Sequence, residues 1–72
     1  MAIDFSALVD TEQKKDFLQG TIENLAFQGY QTSLRKRISE SINEEEDAKS
    51  ADFVLAQIEA ALLVHQEELD SL

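Results

Sequence analysis

The side chains most able to do chemistry in this sequence are two runs of charge separated by a few residues. Residues 35–37 read Arg-Lys-Arg and residues 44–47 read Glu-Glu-Glu-Asp. Three adjacent cations could bind phosphate. However, consecutive helical residues point about 100° apart, no aromatic side chain lies among these cations, and the acids follow at once. We therefore expect intrachain charge balance near two helix ends and no direct nucleic-acid binding.

A second candidate for chemistry is His65, the one histidine of the chain. It could hold a metal together with Glu68, which lies about one helical turn further on. Metal sites in helical bundles use Glu-x-x-His patterns on facing helices, and the residue three positions before His65 is Leu62. We therefore expect no metal and interpret His65 as a polar residue within an apolar seam.

Nucleophilic catalysis would need a serine, a base and an oxyanion hole. Several serines and one histidine are available, but there is no glycine-rich elbow. Neither "LQGT" nor "FQGY" resembles a loop that cradles phosphate. The sequence therefore predicts a protein that is not an enzyme and uses no cofactor.

The acidic side chains of the second half are the remaining candidate site. Glu45, Asp52 and Glu59 recur every seven residues, which places them along one side of a helix. Such a line could mimic a nucleic-acid backbone, although its repeat of about 10 Å is wider than the spacing of phosphates along one strand. The same acids could also simply keep a small, apolar-rich protein in solution.

Composition limits the fold and the kind of partner. The chain has 72 residues, a net charge of −9, and neither cysteine nor proline. A domain of this size buries too little surface to be very stable alone, and without disulfides the expected support is oligomerisation. The longest unbroken apolar run, residues 60–64, is far shorter than the roughly 20 residues of a membrane helix. We expect a cytoplasmic protein with no membrane partner.

The second half carries the clearest structural pattern, and it predicts a helix over residues 44–70. Apolar residues recur there at alternating steps of three and four, which is typical of a helix packed in a coiled coil or bundle. Val54 and Ala61 widen this stripe. The seam residues that we assign to an oligomer interface are Leu55, Ile58, Leu62, His65 and Leu69.

A turn is predicted over residues 43–47. Asn43 followed three residues later by Glu46 matches a capping box, in which each side chain bonds to the other residue's backbone N–H. The acids of residues 44–47 would then favour the positive end of the second helix's dipole, and the cations of residues 35–37 the negative end of the first.

The first helix is predicted over residues 11–42, with Asp10 or Thr11 as its N-cap. Its apolar residues recur at a strict spacing of four, so the stripe winds around the helix. Gly29 could bend or end this helix, and residues 1–10 could form a strap or short turn. The members of the stripe are Leu18, Ile22, Ala26, Tyr30, Leu34, Ile38 and Ile42.

These patterns predict an all-α, antiparallel helical hairpin over residues 1–72 that dimerises into a four-helix bundle. We expect it to bind other proteins as a homo-oligomeric adaptor or assembly factor. The alternative is an inhibitor that mimics nucleic acid and presents the acidic face of residues 44–70 to a basic groove. The candidate partner-binding residues are Phe53, Leu63, Val64, Glu45, Asp52 and Glu59.

Overall fold

The structure, a computed structural model, describes residues 2–72 and contains three helices in that range. They are α1 (Phe5–Leu8), α2 (Thr11–Ser41) and α3 (Glu45–Ser71), and α2 packs against α3. Residues 2–72 contain no strand, so the predicted all-α hairpin of two long helices is confirmed. The predicted N-terminal strap includes Met1, which lies outside the described residues.

The N-terminus of α2 is fixed by a reciprocal pair of cap hydrogen bonds. The Asp10 carboxylate accepts from the Gln13 backbone N–H at 2.8 Å, and the Gln13 side-chain carbonyl accepts from the Asp10 N–H at 3.3 Å. Together they satisfy two backbone donors that a helix start would otherwise leave unpaired. A similar acceptor, Asp4, caps α1 through the Ala7 N–H at 3.3 Å.

The turn between α2 and α3 is built differently from the predicted capping box, and that prediction is wrong. The N-cap of α3 is Glu44, and its side chain makes no cap hydrogen bond. Asn43 instead has a φ of 62°, the left-handed conformation that closes the C-terminus of α2. Its N–H donates to the Glu40 carbonyl at 3.3 Å, and the Glu44 N–H donates to the Ser39 carbonyl at 2.8 Å. This is the Schellman arrangement, which asparagine tolerates better than most residues.

The face of α2 that meets α3 follows only part of the predicted apolar stripe. A stripe at spacing four turns by about 40° at each step, so it has rotated by about 120° between Leu18 and Tyr30. Leu18 is buried, whereas Tyr30 and Ile38 are more than half exposed. α2 is unbroken from Thr11 to Ser41, and the stripe therefore leaves the interface. The residues of α2 on the α3 side, at alternating steps of four and three, are Leu18, Ile22, Leu25, Gly29, Thr32, Lys36 and Ser39.

Gly29 neither ends nor interrupts α2, which is continuous from Thr11 to Ser41. It lies opposite Ile58 of α3, whose Cγ2 would be 3.7 Å from a methyl group built on the glycine. That distance is an ordinary van der Waals contact, so the packing of α2 against α3 at this point has room for an alanine and does not require glycine.

The hairpin is long and thin. It measures 49 × 27 × 14 Å, and its radius of gyration is 16.2 Å. A helix with its side chains is about 10–12 Å across, so the third dimension is about one helix thick. The hydrophobic residues that the described chain buries are Leu18 and Ala51. None of the three helices combines the length and apolar character that crossing a membrane requires.

Candidate protein-interaction surfaces

Two ion pairs join α2 to α3 near the turn. The Arg35 guanidinium binds the Asp47 carboxylate with both Nη2 (2.5 Å) and Nε (3.2 Å), and the buried Ser39 hydroxyl donates to the same carboxylate. Lys36 Nζ lies 2.7 Å from Asp52 Oδ1. Because these side chains are about one third to one half exposed, each pair contributes modestly to stability and mainly fixes how the helices align.

These contacts shift the protonation equilibria of the groups involved. The hydrogen bonds that Arg35 and Ser39 donate hold the pKa of the Asp47 carboxyl below its usual range. The hydrogen bond to Asp47, with the attraction of its charge, raises the pKa of Arg35. Asp52 raises the pKa of Lys36 in the same way.

The basic run at residues 35–37 is therefore divided between different surfaces. Arg35 and Lys36 pair with acids of α3, which agrees with the intrachain charge balance expected from the sequence. Neither lies in the last turn of α2, so cross-helix pairing, not the helix dipole, explains their position. Arg37 lines a shallow cleft of α2 with Leu34, Ile38 and Ser41 and has no ion-pair partner among residues 2–72. The three cations do not form one basic patch.

His65 lies half-buried on the α2 side of α3. Its Nδ1–H donates to the Ala61 carbonyl at 2.6 Å, and its ring centre lies 6.4 Å from that of Phe17. Within residues 2–72 no group of three His, Cys, Asp or Glu side chains is placed to hold a metal ion. The histidine is held by its own helix and by an aromatic neighbour.

The two broad sides of the hairpin can be followed from its ends, because residues seven apart on a helix differ by only about 20° in direction. At the open end, Lys14 and Glu68 line one cleft. Near the turn, the Arg35–Asp47 pair joins the same two lines of residues, since Arg35 lies 21 residues after Lys14 and Asp47 lies 21 before Glu68.

Between those two charged ends, this side carries no Asp, Glu, Lys or Arg in the described chain, and His65 lies at its inner edge. We call it the uncharged face. Its residues recur at intervals of seven along both helices. They are Thr21, Asn24, Gln28 and Gln31 of α2, with Val54, Gln57, Ala61 and Val64 of α3.

The opposite side collects most of the hairpin's charge, and we call it the acidic face. A cleft near the turn joins Lys36 and Glu40 of α2 to Glu45 and Asp52 of α3, which places these side chains on one side. Glu59 continues the line seven residues after Asp52. By the same spacing, this face also includes Asp16, Glu23, Tyr30, Arg37, Lys49, Ala56, Leu63 and Asp70.

A cleft of about 590 Å³ opens at the end of the hairpin away from the turn. Lys14 Nζ donates to the Ser6 hydroxyl at 2.9 Å and so ties α1 to α2 across it. Exposed aromatic rings flank the cleft. Its lining residues are Phe5, Ser6, Val9, Gln13, Lys14, Phe17, Leu18 and Glu68.

The five residues predicted as an oligomer interface lie together on the α2 side of α3. Each is half-buried within the single chain. In particular, Ile58 faces Gly29 and His65 faces Phe17. Packing inside the hairpin therefore uses the seam formed by Leu55, Ile58, Leu62, His65 and Leu69.

The six residues predicted to bind a partner are distributed over three surfaces. Phe53 lies on the outer side of α3, and Val64 lies on the uncharged face. Glu45, Asp52, Glu59 and Leu63 lie on the acidic face, where Asp52 is paired with Lys36. Leu63 and Val64 are adjacent and equally exposed, at 63%, yet they belong to opposite faces.

The predicted strap or short turn over residues 1–10 did not include the cleft that Phe5 and Val9 line against α2, because no periodic pattern indicates where these two residues pack. The sequence interpretation also missed that α2 faces α3 through Leu25, Gly29 and Thr32. These residues could have been found by applying to α2 the alternating spacing of three and four that α3 follows clearly.

No protein-family model matches the chain, and no curated protein or solved structure is significantly similar to it.

Proposed function

We propose that this chain is a non-enzymatic protein that forms a homodimeric four-helix bundle and binds other proteins as an adaptor or assembly factor. The observation that carries the proposal is the surface that a single hairpin leaves uncovered. Folded domains normally consist of at least two packed layers, and this hairpin is one helix thick.

The excess of surface can be stated as an area. The chain exposes 5696 Å², whereas a compact monomer of 8.1 kDa is expected to expose about 4,500 Å². The difference, about 1,200 Å², exceeds the roughly 800 Å² that each partner contributes to a standard interface. The radius of gyration, 16.2 Å, compares with about 11 Å for a compact domain of this length. The simplest way to cover this surface is to pack a second hairpin against the first.

The acidic face supports the adaptor role. Tyr30 and Leu63 are each about 63% exposed there and lie among Glu23, Asp52 and Glu59. Carboxylates around apolar side chains suit a basic, amphipathic helix of another protein, because the apolar residues supply burial and the acids supply charge complementarity.

Mimicry of a nucleic-acid backbone receives less support. In the predicted line of Glu45, Asp52 and Glu59, the middle carboxylate is already paired with Lys36. The exposed Leu63 and Tyr30 also interrupt the carboxylates with apolar surface. A groove that reads phosphates would have to bury these side chains without a matching contact.

The test is affinity capture from the native host with the wild-type chain and matched variants as baits. We expect a specific protein partner that is lost with Glu59→Lys and with Leu63→Asp. Glu67→Lys serves as the control, because it makes the same charge change at an exposed residue off the acidic face. Capture that survives both variants, or that Glu67→Lys reduces equally, would contradict a role for the acidic face.

A further inference from the structure

We infer that a second copy of the chain docks antiparallel on the uncharged face, and that its Ile38 and Ile42 fill the cleft lined by Phe5, Val9 and Phe17. This inference rests on the proposed homodimer and specifies which surfaces meet. In this arrangement, the residues near the α2–α3 turn of one copy occupy the open-end cleft of the other.

Charge selects the face. Two copies of a chain with a net charge of −9 repel one another, and burying unpaired carboxylates costs several kcal/mol each. Pairing through the acidic face would bring the Asp52–Glu59 line of one copy against that of the other. The uncharged face reduces this cost, because the charged side chains beside it are of mixed sign: Lys14 and Glu68 at the open end, and the Arg35–Asp47 pair near the turn.

The dimensions of the uncharged face fit a dimer. From Lys14 to Arg35 it extends about 30 Å along α2, at a rise of 1.5 Å per residue. Two packed helices are about 20 Å across, so the face offers about 600 Å² per copy, at the lower end of the range for specific interfaces. Its glutamine, asparagine and threonine side chains can hydrogen-bond across the contact, while Val54, Ala61 and Val64 supply apolar area.

The distribution of apolar residues selects the orientation. Asn24 and Gln31 form one line of the uncharged face, and at the same spacing of seven Phe17 continues this line toward the open end and Ile38 continues it toward the turn. A two-fold axis across the middle of this line places Ile38 of each copy over Phe17 of the other. Ile38 and Phe17 are exposed by 61% and 65% in the single chain, and this contact would cover both.

The structure also disfavours a parallel pair. α1 adds thickness to the uncharged face at the open end, so two α1 helices would collide and wedge a parallel pair apart. A parallel pair would in addition bring together the two acidic turns, residues 44–47 of each copy. The antiparallel arrangement instead separates the two acidic turns and places each beside Lys14 and Glu68 of the other copy, an end of mixed charge.

Cysteine cross-linking tests this arrangement, because the chain has no native cysteine. We mix the full-length Val9→Cys and Ile42→Cys variants, equilibrate them under reducing conditions, then oxidise. The mixture should form a disulfide-linked dimer of one copy of each variant, at several times the yield of either variant alone. A mixture of Leu63→Cys with Ile42→Cys, which puts one thiol on the acidic face, should show only background cross-linking.

A second pair, Phe17→Cys with Ile38→Cys, repeats the test at exposed residues within α2 and covers the case in which a change near α1 disturbs folding. Efficient cross-linking of Ile42→Cys with itself would overturn the inference in favour of a parallel dimer. Light scattering of the reduced wild-type chain separates the remaining outcomes. A dimer that fails both mixed cross-links overturns only the docking arrangement, whereas a monomer overturns the proposed homodimer as well.

Discussion

The two broad faces of the hairpin are made by the same two helices, yet they differ in charge almost completely. Even adjacent residues of α3 lie on different faces: Leu63 lies on the acidic face, and Val64 lies on the uncharged face. The excess of negative charge is therefore concentrated on one side of the hairpin. A net charge of −9 disfavours self-association at long range, so the proposed dimer requires that the face without charge be the one that meets a second copy.

The largest effect should come from placing a charge on each face in turn. Val64→Asp should weaken the dimer about 100-fold or more, because the two-fold axis introduces the buried carboxylate twice and each burial costs several kcal/mol. Leu63→Asp, at a neighbouring residue of equal exposure, should leave dimerisation within about threefold of wild type. Sedimentation equilibrium of both variants measures the two dissociation constants. If both substitutions weakened the dimer equally, the uncharged face would not be the dimer interface.

A substitution at Asn43, in the turn between α2 and α3, should change the stability of the whole hairpin and so affect both faces equally. Asn43 has a φ of 62°, so Asn43→Ala should lower the free energy of unfolding by about 1 kcal/mol, whereas Asn43→Gly should leave it equal or slightly higher. Chemical denaturation monitored by circular dichroism gives both values. Glu46→Ala is the control for the discarded capping box, and a loss as large as that of Asn43→Ala would restore that interpretation.

A smaller effect distinguishes the two ion pairs, one on each face. The pKa of Asp47 is lowered from its ordinary value of 3.8, so its contribution to stability is complete at neutral pH. That contribution is lost as the pH falls below 3.8 and through the lower native value. The difference in melting temperature between wild type and Asp47→Asn should therefore shrink over that range. Asp52→Asn should destabilise less, since Asp52 is more exposed and bonds to Lys36 without the additional Ser39 hydroxyl.

The smallest expected effect is that of salt on dimerisation. If the uncharged faces meet, raising the salt from about 0.05 to about 0.5 M should tighten the dimer by less than about tenfold, because the carboxylates of the acidic faces then lie on the far side of each copy. If the acidic faces met instead, screening of their repulsion should tighten the dimer about tenfold or more over the same range. Isothermal dilution calorimetry at both salt concentrations separates these cases.

The helices and their partnership could be predicted from the sequence because periodicity and caps are local signals. The alternating spacing of Leu55, Ile58 and Leu62 indicated α3 and its packing side, and Asp10 marked the start of α2. The path of α2 against α3 could not be predicted from its own apolar stripe. Its inner face near the turn consists of Gly29, Thr32, Lys36 and Ser39, which a search for large apolar residues overlooks.

The candidate surfaces were less accessible to sequence reasoning. Phe53, Leu63 and Val64 could be recognised as uncovered, but their separation onto different surfaces follows only after the side of α3 that meets α2 is known. The cleft between α1 and α2 requires the chain to fold back at Val9, and the tie between Lys14 and Ser6 is a contact across eight residues with no periodic signature.

The central claim, that one hairpin is half of the working unit, is tested most directly by the mass of the wild-type chain in solution. Multi-angle light scattering after gel filtration, at about 10 μM in moderate salt, should give twice the 8.1 kDa of a single chain. A single, stable species of 8.1 kDa under those conditions would contradict it.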